Sequence, residues 1–316
     1  MAAQEIEFGM GDFGNLLIIG NGFDLDLEFE TSYKQFFENK NGLGQGGFPF
    51  VRGGNDFHAL GRFILDQFSV HSWYGLEDIL AQYGSRGVYS YNQGESAKTD
   101  RMDYDILVNS LALYLNSLDL TQPKKDSVAA RVLEALCNCL IPPTIYSFNY
   151  TDVSSIGDAL GLATGTVSYV HGNLKDNNII LGVGDYGKLI PTFDYMYKTT
   201  NPHYRSTNLF QELDACNNLI IFGLSLSQVD YPYFEAFFKK VASGEYGKDR
   251  RKFIRIFTYD EDSRMDILRN LRAMNQGMIA LFNNSDFDII RTKDNMDEAK
   301  VSALIEKIEN EWQLDV

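Results

Sequence analysis

The chain has 316 residues, of which 44% are hydrophobic and 13% aromatic, which is enough to bury a sizeable core and argues against disorder. Its formal charge of −15 disfavours nucleic acid as a partner, because phosphate binding relies on neutralisation by Lys and Arg. The three cysteines, Cys137, Cys139 and Cys216, form no Cys-x-x-Cys pair, which excludes a disulfide framework and a structural zinc site.

The N-terminal "MAAQEIEFGMGDFG" is acidic and lacks the charged-then-apolar layout of a signal peptide. No apolar run approaches the ~20 residues needed to span a bilayer. The expectation is a cytoplasmic protein with no membrane partner. The first strong element is "LLIIG", residues 16–20, a continuous apolar run of the kind buried on both faces of a parallel sheet. It leads into "NGFDLDLEFE" and then "TSYKQFFEN", where Thr31 or Ser32 is the candidate cap of a short helix. The stretch 41–55 holds six glycines but no Lys-Ser or Lys-Thr to close a phosphate loop. It reads either as a lid or as a disordered insertion.

From 56 to about 140, "DFHALGRFILDQF", "LEDILAQY", "DYDILVNSLALYLNSL" and "SVAARVLEALCNCL" space apolar residues three and four apart, as helices do. Pro142-Pro143 ends this block. Strands are expected at "TIYSFNY", "VSYVHG", "NIILGVG", "NLIIFGLS", "KFIRIFTYD" and "MIALFN". Helices are expected near 152–160, up to Cys216, over "QVDYPYFEAFFKK", near 262–274 and near 296–312. This alternation predicts a doubly wound, mostly parallel, Rossmann-like α/β sheet. Residues 1–316 form one domain in this reading, and 56–140 is a helical insertion after the first strand-helix unit.

In such sheets the ligand sits beyond the C-terminal ends of the strands. Small and polar residues collect there: Gly20-Asn21-Gly22-Phe23-Asp24, Asn149-Tyr150-Thr151-Asp152, His171-Gly172-Asn173, Gly184-Asp185-Tyr186 and Gly223-Leu224-Ser225. Each has a plain structural alternative. Asn149 reads as an Asx turn or a helix cap, though Asp152 stands closer to the helix start. His171 reads as a lone histidine at a strand end, and Asp230 as a helix cap. His58, His71 and His203 have no constellation around them.

The blocks "LLIIGNGFDL…TSYKQFF", "YSFNYTD", "VHGNL" and "IIFGLSLSQVDYPYFEAFF", in this order from residue 16 to about 238, resemble the bacteriophage abortive-infection AbiH family. More distantly, the order is similar to the sirtuin-like NAD-binding fold. The resemblance implies a phage-defence effector that binds NAD and hydrolyses it to nicotinamide and ADP-ribose. It implies catalytic roles for Asn149 and His171. It also implies nucleotide contacts from Gly20, Asn21, Gly22, Phe23, Asp24, Gly223, Ser225 and Asp230. NAD enters as substrate or ligand, with no cofactor required and no metal. A homo-oligomer and a phage-derived or host trigger are the implied partners. Two departures stand out: Asn21 replaces the usual alanine of a Gly-Ala-Gly turn, and three cysteines cannot build the zinc ribbon of a sirtuin deacetylase. The alternative reading is a nucleotide sensor without catalysis that signals to a partner.

Overall fold

The computed structural model describes residues 14–38, 59–70, 75–85, 93–185, 187–248, 250–275 and 277–312. The glycine-rich stretch 41–55, His58, His71 and Tyr186 lie outside them. Six strands, β1 (Asn15–Ile19), β2 (Thr144–Ser147), β3 (Val167–Tyr169), β4 (Asn218–Phe222), β5 (Lys252–Thr258) and β6 (Ser285–Arg291), make one sheet. The order is β3-β2-β1-β4-β5-β6, and every neighbouring pair is parallel. This is the doubly wound arrangement that the alternation predicts, with the chain reversing direction across the sheet between β1 and β4.

All five residues of β1 are buried because both faces of the sheet are covered. Leu16 and Ile18 point into one core, with Leu209 and Leu213 of α8 (Leu209–Ala215) and Phe234, Phe237 and Phe238 of α9 (Tyr231–Ser243). Leu17 and Ile19 point into the opposite core, with Leu133 and Leu136 of α6 (Val128–Cys137), Ile156 of α7 (Val153–Leu160) and Leu304 and Ile308 of α12 (Glu298–Asn310). The period of two along a strand sorts alternate side chains onto the two helical layers.

The helices before β2 divide between two environments. α2 (Tyr33–Glu38), α3 (Ala59–Val70), α4 (Leu76–Ser85) and α5 (Gln93–Asn116) contribute to a third core, with Tyr150, Leu181, Val183, Phe193 and Met196. Ser32 is the cap of α2: its hydroxyl accepts from Gln35 N (3.1 Å), while Gln35 Oε1 accepts from Ser32 N (3.0 Å), a reciprocal capping box. Asp100 and Asp103 on α5 accept from the backbone of Leu60 and Gly61 at the start of α3. By contrast, α6 lies on the sheet and pairs with α12 through a two-pronged Arg131–Glu298 contact.

Two expected strands are not strands. "NIILGVG" forms only an isolated bridge, Val183 to Tyr197. Leu181 and Val183 are buried in the third core rather than in the sheet. "MIALFN" is largely helix α11 (Ile279–Asn284), and the strand is the next segment, β6. A short apolar run does not distinguish strand from buried helix, and here Leu281 is buried while Ile279 is 78% exposed. Among the described residues no helix is long and apolar enough to cross a membrane.

Candidate functional site

At the reversal point, the β1–α1 turn leans on the turn after β4; α1 is Asn21–Asp26. Gly20 N donates to Phe222 O (2.8 Å) and Gly22 N to Gly223 O (2.9 Å). A Cβ on Gly20 would lie 2.7 Å from Gly223 O, and one on Gly22 2.6 Å from Gly223 Cα. Gly223 has φ +70°, and a Cβ there would overlap Phe23 N. The three glycines are therefore accounted for by backbone meeting backbone. Gly223→Ala combines a left-handed φ with a clash, so it is expected to cost at least ~2 kcal/mol in urea-unfolding free energy. Phe23 is core, edge-on to Phe222 at 5.5 Å, and is not placed to touch a ligand.

β2 delivers the polar residues. Asp152 caps α7, accepting from Ser154 N at 3.2 Å, so Asn149 is not needed as the cap. Instead Asn149 is buried, and its Nδ2 donates to Gly20 O across 3.0 Å, tying the tip of β2 to the tip of β1. Thr151 Oγ1 donates to Asp24 Oδ2 at 2.8 Å. Asp24 is 0% exposed, and its Oδ1 has no hydrogen-bond partner among the described residues. Desolvation pushes the Asp24 carboxyl up to about 7, opposed by Thr151 and the nearby Asn149.

These residues wall a cavity of about 210 Å³. Its floor is Asn21, Asp24, Asn149 and Thr151; its aromatic sides are Tyr33, Phe148 and Tyr150. Helices α4 and α5 close it, with Glu77 of α4 and with Leu111 and Leu115 of α5. Thr31 Oγ1 donates to Asn21 Oδ1 (2.7 Å) and so holds the turn residue in place.

His171 lies behind Phe148, with ring centroids 5.5 Å apart. It is 5% exposed, and its Nε2 meets Lys198 Nζ at 3.1 Å. An ammonium only donates, so Nε2 accepts and the neutral ring carries its proton on Nδ1; Nδ1 has no partner among the described residues. Burial, then the Lys198 charge, holds the imidazole well below its ordinary value. The ring is enclosed by Phe148, Tyr233 and Lys198 rather than standing at a solvated rim.

Lys198 also forms a 2.8 Å ion pair with Glu77, whose side chain is 15% exposed. Asp230 belongs to the same cluster. Burial, then the Glu77 charge, pushes it up to about 7, with Lys198 opposing. Its carboxyl accepts from Ser227 N at 3.1 Å and braces the loop after β4, in which Leu226 is left-handed at φ 51°. Ser225 is exposed on that loop.

Of the residues expected from sequence, Asn21, Asp24 and Asn149 share the cavity. Gly20, Gly22 and Gly223 shape the turns below it. His171 and Asp230 connect to it through Lys198 and Glu77, Ser225 Oγ donates to Asp230 Oδ2 at 3.5 Å, and Phe23 stands apart in the core. Sequence reasoning missed Glu77 and Lys198, and it placed Thr151 at a strand end without giving it a role. Glu77 reads as an ordinary acidic residue in a helix's first turn, and Lys198 sits in a polar stretch without periodicity.

Two larger openings lie elsewhere. One, about 550 Å³, is at the N-terminal ends of β4 to β6 around Arg251 and Trp312. The other, about 400 Å³, flanks edge strand β3 around Asn173 and Arg205. Neither is lined by a buried polar atom lacking a partner, and the first is at the wrong end of the sheet for a ligand.

A family model described as bacteriophage abortive infection AbiH matches residues 16–246, which is more than two thirds of the chain and includes β1 to β4 with every cavity residue. No match was found among curated proteins or among solved structures.

Proposed function

Since the chain belongs to the bacteriophage abortive-infection AbiH family, we propose that it is a phage-defence effector that binds NAD at this cavity and cleaves its nicotinamide–ribose bond. One observation carries the reading. At the reversal point of a doubly wound sheet, a fully buried carboxyl with an unpartnered oxygen faces a cavity beside a fixed amide. The sirtuin-like order of the motifs adds to it.

The chemistry balances with these groups alone. The C1′–N bond breaks, its electron pair stays on the ring nitrogen, and neutral nicotinamide leaves. The ribosyl centre becomes oxocarbenium-like. Water adds to C1′ and gives up a proton to Asp24, whose value near 7 suits a general base. Asn149, held by Gly20 O, orients water or ribose in a near-attack arrangement. His171 is a positioning residue in this scheme: being neutral and enclosed, it holds Lys198 and thereby Glu77. A homo-oligomer, gated by a phage-derived or host trigger acting on the inserted helices, is the proposed mode of control.

The test is NAD and ADP-ribose measured by mass spectrometry in infected cells carrying wild type or Asn149→Ala. NAD loss with ADP-ribose gain is expected for wild type, reduced at least ~100-fold in initial rate by the substitution. Unchanged NAD during clear protection removes the hydrolase reading. The sensor alternative draws on the cavity size, about 210 Å³, which is below the roughly 300–1,000 Å³ of a pocket enclosing a whole ligand. Equilibrium binding without turnover is the result that favours it.

A further inference from the structure

The cavity differs from a phosphate site in every property that matters. Its wall contains two carboxyls, Asp24 and Glu77, and among the described residues no Lys or Arg lines it. The cation paired with this wall is Lys198. It lies behind Glu77 and is engaged by that carboxylate at 2.8 Å and by His171 Nε2 at 3.1 Å. The Glu77–Lys198 pair is thus close to neutral, which leaves Asp24 as the uncompensated anion. Asp24 Oδ1 has no partner in the wall, so the site is electrically and geometrically incomplete. Three aromatic side chains, Tyr33, Phe148 and Tyr150, complete the enclosure. Rings and carboxyls around a small volume are the composition that receives organic cations. The chain's net charge of −15 adds a field of the same sign.

We infer that this cavity is selective for a flat, positively charged ring, seated between Tyr33, Phe148 and Tyr150 with its charge against Asp24. The inference deepens the proposed NAD reading and rests on it for the identity of the ring. It assigns to the enclosed volume the pyridinium end of the dinucleotide, which is cationic only in the oxidised form. The phosphates and adenosine are then left outside the 210 Å³. Reduced dinucleotide, whose ring is neutral, is disfavoured by the same charge. An anionic ring is excluded, since placing it beside Asp24 buries like charges together.

Binding is tested with three ligands of nearly one shape and three charges: 1-methylnicotinamide (+1), nicotinamide (0) and nicotinate (−1). Each is titrated calorimetrically into the full chain at pH 8. The cation is expected to bind at least ~10-fold more tightly than the neutral ring, a difference of about 1.4 kcal/mol. The anion is expected to show no binding. Asp24→Asn is expected to remove the cation's advantage over the neutral ring. In the wild type, lowering the pH from 8 to 6 protonates Asp24, so the cation's affinity falls about tenfold while the neutral ring's does not. The other charged groups do not reproduce this pattern. Glu77 is paired with Lys198. Asp230 is also raised to about 7 but does not line the cavity, so Asp24→Asn, which keeps Asp230, is expected to lose the pH dependence. Tyr33 and Tyr150 are shifted upward and stay neutral.

Equal binding of the three ligands, preference for the neutral or anionic ring, or no binding of any at millimolar concentration overturns the inference. So does an unchanged cation preference in Asp24→Asn. Selective cation binding without NAD turnover keeps the inference and removes the hydrolase reading. NAD turnover without charge preference does the reverse.

Discussion

Asp24→Asn is expected to stabilise the fold at pH 8 while removing NAD cleavage. The Asp24 carboxyl has its value raised from 3.8 to about 7 in the folded protein, chiefly by desolvation. An acid raised on folding stays protonated longer in the native state than in the unfolded one. Stability is therefore full below pH ~4 and falls as pH rises from ~4 to ~7. The full cost above pH 7 is about 4 kcal/mol at 1.36 kcal/mol per unit. The amide removes that cost and still accepts from Thr151. Its NH₂ takes the place of unpartnered Oδ1, however, at a penalty of about 1–3 kcal/mol. The net expectation is a gain of roughly 1–3 kcal/mol in urea-unfolding free energy at pH 8 and almost none at pH 5. A core residue whose removal stabilises the protein and abolishes activity has the signature of a site held at the expense of stability. Destabilisation at both pH values would refute the desolvation account of Asp24.

Lys198→Met is expected to act in the opposite direction, with a loss of about 3–5 kcal/mol at pH 8. Lys198 is buried between Glu77 and His171. Removing it leaves the Glu77 carboxylate in a weakly solvated place, close enough to Asp230 to raise that group further. The sign of the pH effect follows. Asp230, already raised to about 7, loses the opposing Lys198 charge and protonates more readily as pH falls, and His171, freed from the same charge, becomes easier to protonate. The deficit therefore shrinks from pH 8 to pH 5.5. Glu77→Gln in the same chain is expected to recover ~2 kcal/mol or more of it, because two neutral side chains replace one stranded ion. A Lys198→Met chain within 1 kcal/mol of wild type at pH 8, or a double variant no better than the single, would show that the pair is not the clamp between α4 and the sheet. The same variants report on function. If Glu77 matters only by closing the cavity, Glu77→Gln raises KM with little change in kcat.

The sheet was legible because its strands are uninterrupted apolar runs, and burial on both faces leaves that mark wherever the chain enters a parallel sheet. The polar tips of β1 and β2 were legible for the same reason: an apolar run that stops in Gly-Asn-Gly or in Asn-Tyr-Thr-Asp shows where the strand leaves the core. Asn149 answers to that pattern, and so does Asp24. The apolar runs at 178–184 and 278–283 misled, since burial against helices writes the same composition as burial in a sheet. Nothing local marks Glu77 or Lys198. They lie 121 positions apart and meet only because α4 packs over the strand ends, where a lone ion would not remain buried and a pair does. The glycines carry the same lesson. Their spacing reads as room for a ligand, whereas the turns of β1 and β4, in which Gly22 and Gly223 stand 201 positions apart, use that room for each other. Composition and periodicity determined which segments are buried. Which polar groups share that burial depends on long-range packing, and this decides where charge is left without a partner.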